Sequence, residues 1–518
     1  MSSISGHLLR LIIEDNLSGI LKIASNSFAL ILVMWMAQTR FLILNFINMK
    51  KLILCATALM AGAVMYGQSN DSGVMQSGNN NNADVIQTGN SNKARLEQGV
   101  QNVSAAASNN NTAIATQRGS INDANVVQIG NSNIVRIDQV GANNIANANQ
   151  GTARRLFGTF FQVTKSLNNE INQDQDGNRN EVDADQLGAA FGGGGNNLIN
   201  QNQLGDDNFS RAQQDAGASR NTINQTQTGD NNDALGLQGS GGGIGTFDNT
   251  INQTQTGDNN DAQARQLITT KNSSSTQDQI GDGNFGGVRQ QGDTNTALQL
   301  QTGDDNNAAI EQDGTFAGTS FLNEASQEQT GNSNEASSDQ KGALNNSIET
   351  QRGNENTSDI VQTGDSNRSE VKQLGNGNIG ATEQIGNINR ARVSQDGNLN
   401  SGETQQTGAD NDAQIASEGN LNMGLIAQIN DLNDAFIFQI GNENISNISQ
   451  NGNQNFADSD QTGNQNKSFM TQDGTSNRSI ANQIGNLNMS TVSQSGSMNI
   501  SNVLQRGNSN TSTVTQGN

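Results

Sequence analysis

At 518 residues the chain has the length of several domains, yet only 32% of it is apolar, 3% is aromatic and Pro is absent, against the ~45–50% apolar content of ordinary globular domains. That inventory excludes a broad hydrophobic core and leaves a disordered polar chain or a narrow repeat structure; the absence of Pro, which cannot donate to a β ladder, favours the repeat. The net charge of −22 speaks against a nucleic-acid partner, and the single Cys and single His, Cys55 and His7, both precede the repeats, which leaves the repeats without disulfides, Cys/His zinc sites, thiol nucleophiles or imidazole bases.

Met49-Lys50-Lys51 followed by the apolar run Leu52–Met65 reads as a secretory signal peptide over 49–67, with cleavage near Gly67 or Gln68. Cys55 does not read as a lipid-attachment site, since Leu52-Ile53-Leu54 lacks the small residue expected beside it. Residues 1–48 then stand in front of a complete signal and read as an in-frame extension upstream of the true initiator, Met49; the competing reading, a membrane helix within Phe28–Ile47, is interrupted by Arg40. No membrane span is expected in the mature chain, and helix is expected only within 1–67.

Residues 68–518 carry one motif. From Gln329 to Gln516, stepping by 11, every anchor is Gln except Ser417; Asn stands six residues before each later anchor, and Gly stands two residues after most of them, Asn430 being an exception. Upstream the same rule holds from Gln76 onward with longer gaps, and the surplus residues always fall between the Gly and the Asn. The insertions near 99–109, 152–168, 189–196, 239–248 and 315–322 are therefore expected to protrude as loops, with Phe157, Phe160, Phe161 and Phe316 available to the solenoid or a partner.

Between Asn and Gln the residues alternate. Asn444, Ser446, Ile448 and Gln450 share one face, as do Asn488, Ser490, Val492 and Gln494, and Asn367, Ser369, Val371 and Gln373, while Arg368, Glu370 and Lys372 occupy the other. Period 2 marks a strand with one buried face, and a small residue followed by Ile or Val suits two closely packed sheets. The residues between strands, such as Ile484-Gly485-Asn486-Leu487, make the turn, where Gly supplies a positive φ. The expected fold is all-β: a β-solenoid of about 18 strand-turn-strand coils of 22 residues, with two facing parallel sheets and a length of roughly 85–90 Å at ~4.8 Å per coil.

Buried amides are costly unless paired, and in a coil stack each amide meets its equivalent above and below. Asn334, Asn345, Asn367, Asn444, Asn488 and Asn510 with Gln340, Gln351, Gln373, Gln450, Gln494 and Gln516 are thus expected to form inward structural ladders, and Gly331, Gly353, Gly375, Gly441, Gly485 and Gly507 the turns. No catalytic, cofactor-binding or metal-binding residue is assigned. Asp304, Asp305, Asp410 and Asp412 resemble catalytic carboxylates only superficially, because equivalent acids recur at Asp230 and Asp258. Gly229-Asp230-Asn231-Asn232-Asp233 offers oxygen ligands for calcium, but most turns lack the carboxylates.

The run Gln439-Ile440-Gly441-Asn442-Glu443-Asn444-Ile445-Ser446-Asn447-Ile448-Ser449-Gln450 resembles the curlin repeat of curli subunits, and the resemblance extends over nearly the whole mature chain. It implies an amyloid-like structural subunit, bacterial secretion through the periplasm and a dedicated outer-membrane pore, a surface nucleator as partner, self-association end to end, and an extracellular fibre of adhesion and biofilm matrix. The chain departs from the usual pattern in its many repeats, its scarce strand aromatics and its insertions, so the motif does not separate polymer former from nucleator or accessory subunit. A monomeric secreted adhesin or an ice- or surface-binding β-solenoid is the alternative. The repeats run to Gln516-Gly517-Asn518 with no different segment following them, which favours open edges and stacking.

Overall fold

The computed structural model describes residues 69–517 apart from 100–107, 157–159, 165, 188–194, 216, 240–245, 268–269 and 314–321. The upstream extension and signal peptide expected within 1–67, the insertion tips, and the side chains of Phe157, Phe160, Phe161 and Phe316 lie outside the described residues.

The chain alternates between two parallel sheets. Sheet A runs from Asp71–Gln76 through Lys93–Gln98 to Thr511–Gly517, and sheet B from Asn82–Asn90 through Thr112–Ser120 to Ile500–Arg506. Each strand pairs in register with the strand one coil later: Gln340 meets Gln362 in sheet A, and Gln351 meets Gln373 in sheet B. About 18 coils stack this way, giving the expected β-solenoid. Register is fixed because a one-residue slip would turn every buried amide outward.

The core is one layer of side chains thick. Buried Ala, Val and Ile from both sheets interdigitate, with Ala94 to Ala325 in one cluster and Ala413 to Val503 in another. A large residue on one sheet faces a small one on the other: a Cβ added to Gly402 would lie 2.7 Å from Val393 Cγ1, and one added to Gly236 would lie 2.8 Å from Ile223 Cγ2. Between the two lies a third, small cluster of Ile360, Val371 and Val393, and just before it the core turns polar, with Ser338 Oγ donating to Ser347 Oγ at 2.8 Å.

Turns are built from two left-handed positions. Gly441 has φ 117° and Glu443 has φ 58°, and this pair repeats at nearly every turn. Asn430, which breaks the glycine rule, still takes φ 74°, as Asn tolerates this region better than most residues. A Cβ on Gly441 would sit 2.0 Å from the carbonyl oxygen of Gly463 one coil on.

Every insertion lies on the turns leading from sheet A to sheet B; the B-to-A turns keep their short form throughout. The segment 152–168 is more than a loop, since Thr152–Leu156 and Phe160–Thr164 pair as an antiparallel hairpin. The last residues of each insertion then rebuild the turn. Leu167, Gly195, Ser219, Phe247 and Lys271 form a run of single parallel bridges from coil to coil, and Asn168, Asn196, Arg220, Asp248 and Asn272 take the left-handed position that follows. The insertions thus leave the coil geometry unchanged on either side.

Candidate functional site

The repeated chemical feature of the molecule is its buried amides. In sheet A the anchor glutamines from Gln76 to Gln516 form an unbroken ladder in which each Nε2 donates to the next Oε1: Gln340 to Gln362 at 2.9 Å, Gln450 to Gln472 at 2.9 Å and Gln494 to Gln516 at 2.8 Å are typical. From Gln98 onward the second hydrogen of each amide closes the edge between sheets. Gln340 Nε2, for example, donates to the Glu324 carbonyl at 2.9 Å and Gln450 Nε2 to the Asp434 carbonyl at 2.9 Å, as Gln351 and Gln373 of sheet B do to the Glu335 and Thr357 carbonyls. Both amide protons are therefore used, which removes the penalty of burying them.

The asparagine ladder points the other way. The Asn334 backbone N–H donates to Asn306 Oδ1, 3.0 Å away, while Asn334 Nδ2 donates to the Gly353 carbonyl one coil on, at 2.8 Å. Asn345, Asn367, Asn444 and Asn488 repeat this pattern, and Asn510 ends it at the last coil, half-exposed. At the inserted turns the same Nδ2 finds Ser166, Ala218, Thr246 or Thr270 carbonyls in place of glycine. The six named glycines all have φ between 100° and 128°.

Sheet B holds a further ladder that the periodic reading missed. Where Ile or Val is expected at the third inward position, Gln173, Gln201, Gln225, Gln253, Gln277, Gln299 and Gln327 donate in series at 2.8–3.0 Å and end on Glu349. The signal was in the sequence: Thr-Ile-Asn-Gln-Thr-Gln-Thr stands at both 222–228 and 250–256. Each end of this ladder reflects its direction. Gln173 Oε1 has no donor, because the coil before it supplies Ile137. Glu349, at the other end, has no amide beyond it to supply: Oε1 takes the Gln327 amide, Oε2 pairs with the Ser358 hydroxyl, and Val371 follows. Burial pushes the Glu349 carboxyl up to about 8, although its hydrogen bonds pull downward.

Ser417 interrupts the anchor ladder of sheet B. Its Oγ donates to Gln439 at 3.0 Å, but Gln395 Nε2 keeps only the Ile379 carbonyl, at 2.9 Å. Ser417→Gln should complete the row and stabilise that coil by about 1 kcal/mol, read as slower hydrogen exchange across Arg390–Asp396 and Asp412–Glu418; unchanged or faster exchange would contradict the ladder's energetic role.

The carboxylates do not converge. Asp304 belongs to a turn series in which each Oδ1 accepts a backbone N–H from the coil before, at 2.7 Å for Asp230 and 2.8 Å for Asp258. Asp305 and Asp410 are the left-handed turn residues, and Asp412 is half-buried at a strand start with its acid strengthened by Arg390 but weakened more by burial. Among the described residues no group of three or more His, Cys, Asp or Glu is placed to hold a metal, and no helix is long and apolar enough to cross a membrane.

Among the described residues the first and last strands of sheet A are the most exposed. Asp71–Gln76 is exposed at all six residues, and in Thr511–Gly517 even the inward positions are only half-buried. Residues 67–99, 109–141, 281–314, 345–375 and 353–382 match the model of the Curlin associated repeat. No curated protein matches the chain. The matched stretches lie in both halves of one solenoid whose ladders run on through the coils between them, and the chain carries the Curlin associated repeat at those stretches.

Proposed function

We propose that the protein is a non-enzymatic structural subunit of an extracellular, curli-like amyloid fibre that supports adhesion and biofilm matrix. The observation that carries this reading is the self-repeating inner surface. Each coil offers the row of donors and acceptors that the adjacent coil uses, so an uncovered coil of one molecule is a template for an uncovered coil of another. A secretory signal over 49–67, an outer-membrane pore and a surface nucleator belong to the same proposal, on the strength of the repeat family.

The purified chain from Gln68 onward should polymerise without cofactor into fibres with a meridional reflection at ~4.7–4.8 Å. Salt should accelerate the process by screening stacked outward acids. Mild acid should stabilise the coils themselves. Asp233, held next to Asp261 by register, is pushed up to about 6, mainly by burial, and Asp434 and Asp458 are raised for the same first reason. A raised carboxyl favours the folded coil below its unfolded value and loses that contribution as pH rises through the folded one, so the solenoid should be more stable at pH 5 than at pH 8. Dispersed monomers at micromolar concentration under these conditions would overturn the fibre reading in favour of a monomeric adhesin.

A further inference from the structure

The core is poorest in large apolar side chains near the middle of the solenoid. In Glu324–Thr330, Glu335–Lys341 and Asn346–Arg352 the inward pairs are Ala325 and Gln327, Ala336 and Ser338, and Ser347 and Glu349, all buried. Three successive strands thus bury no Val, Leu, Ile or Met. Elsewhere in the described parts of the two sheets at most two in succession bury none, as at Asp261–Gln266 and Ser274–Ile280. The hydrophobic clusters respect this gap, one ending at Ala325 and the next beginning at Ile360.

Two other changes fall at the same place. Every insertion precedes Asn323, and beyond it each step between anchors is 11 residues. The inner Gln ladder of sheet B ends at Glu349, and the third inward position of that sheet turns aliphatic at Val371 and Val393. The anchor amides nevertheless run straight through, Gln329 donating to Gln351 at 3.0 Å and Gln340 to Gln362 at 2.9 Å. Only the filling differs. Ser338 donates to Ser347, while Gln327 and Ser358 pair with the Glu349 carboxyl. No other titratable side chain faces that carboxyl. The strands packed on it turn Glu324, Glu328, Glu335, Asp339 and Lys341 outward on one side, and Asp359, Arg368, Glu370 and Lys372 on the other.

We propose that the solenoid consists of two cooperative segments, 70–325 and 360–517, coupled through a proton-gated joint at 336–349: joined while Glu349 is protonated, and able to open separately once it is ionised. In a repeat structure each coil is held by its neighbours, so cooperativity passes only where the contact between coils is strong. Burial of large apolar groups supplies most of that contact, and these three strands have none to give. Their coupling comes from polar pairs, of which the Glu349 carboxyl is the member that changes charge. Burial pushes that carboxyl from 4.5 up to about 8. Coupling is therefore complete below the unfolded value, weakens as pH rises through the folded one, and is least above it. The joint lies within one chain and stands apart from the fibre reading.

Hydrogen exchange of the full chain in a urea series, followed by mass spectrometry, tests the joint. At pH 9 Thr222–Thr228 and Ile445–Asn451 should lose protection at different urea concentrations; at pH 5 they should lose it together. Without urea, opening of Asn346–Arg352, corrected for the intrinsic exchange rate, should rise about a hundredfold from pH 5 to pH 7. Glu349→Gln should keep the two segments together at pH 9. Ser338→Val, which places an aliphatic side chain between Ile310 and Ile360 of sheet A, should narrow the split without touching the carboxyl. Simultaneous loss of protection in wild type at pH 9, a split already complete at pH 5, or a split that persists unchanged in Glu349→Gln would each overturn the proposal.

Discussion

Replacing Glu349 with Gln should slow hydrogen exchange in the surrounding strands by roughly a hundredfold at pH 7, the equivalent of about 3 kcal/mol. The carboxyl is fully buried, and its value rises from 4.5 unfolded to about 8 folded, with burial as the largest cause and Asp359 adding to it. The stability of this coil is therefore complete below pH 4.5, falls as pH rises, and reaches its minimum above pH 8, where a bare carboxylate is enclosed. Gln has nearly the same shape, still accepts from Gln327, and carries no charge to bury. The gain should shrink towards zero near pH 4, where the glutamate is protonated in both states. Exchange measured by mass spectrometry on peptides spanning Asn346–Arg352 and Thr357–Thr363 reads the effect locally, which suits a repeat protein that does not open as one unit. A gain independent of pH would show that the glutamate is not titrating in the core.

Much of the architecture was legible because the motif is strict. An 11-residue step of Gln, with Asn six before it and Gly two after it, specifies a strand face, a turn and a register at once. Asn334, Gln340 and Gly353 could therefore be placed inward or at a turn from spacing alone, and the structure puts them there. What spacing could not show was the partner of each group. That Gln points its amide towards the C-terminal coil while Asn accepts from it depends on side-chain rotamers, and that Gly441 must lack a Cβ depends on a carbonyl oxygen one coil away. The inner Gln ladder of sheet B was missed for a different reason. Reading the third inward position as Ile or Val generalised from coils after 349, where the core is aliphatic, to coils before it, where Ile199 and Ile223 move to the second position and Gln201 and Gln225 take the third. The hairpin in 152–168 was read as a loop because its pairing is local and antiparallel, and so escapes the 22-residue period.

Glu349 also explains what should happen when a glutamate is placed within a ladder instead of at its end. Gln373→Glu should destabilise its coil by about 3–5 kcal/mol at pH 7, more than almost any single change on the outer faces. Gln373 accepts from Gln351 at 2.9 Å, and donates to Gln395 Oε1 at 3.0 Å and the Thr357 carbonyl at 2.9 Å. A carboxylate keeps the accepted bond but sets a lone pair against two oxygen acceptors. Protonation returns one hydrogen, enough for one of the two. The defect should thus ease as pH falls, without disappearing, and be greatest where the acid is fully ionised. Glu349 avoids this because the residue one coil on is Val371, which asks for no donor. Exchange across Thr357–Thr363, Arg368–Leu374 and Arg390–Asp396 at pH 5 and pH 8 measures the effect, with Ser394→Glu, whose site faces outward in the adjacent strand, as the charge-matched control. Equal exchange in the two variants would mean that the ladder amides are interchangeable with any polar group, and that stacked register is maintained by the backbone alone.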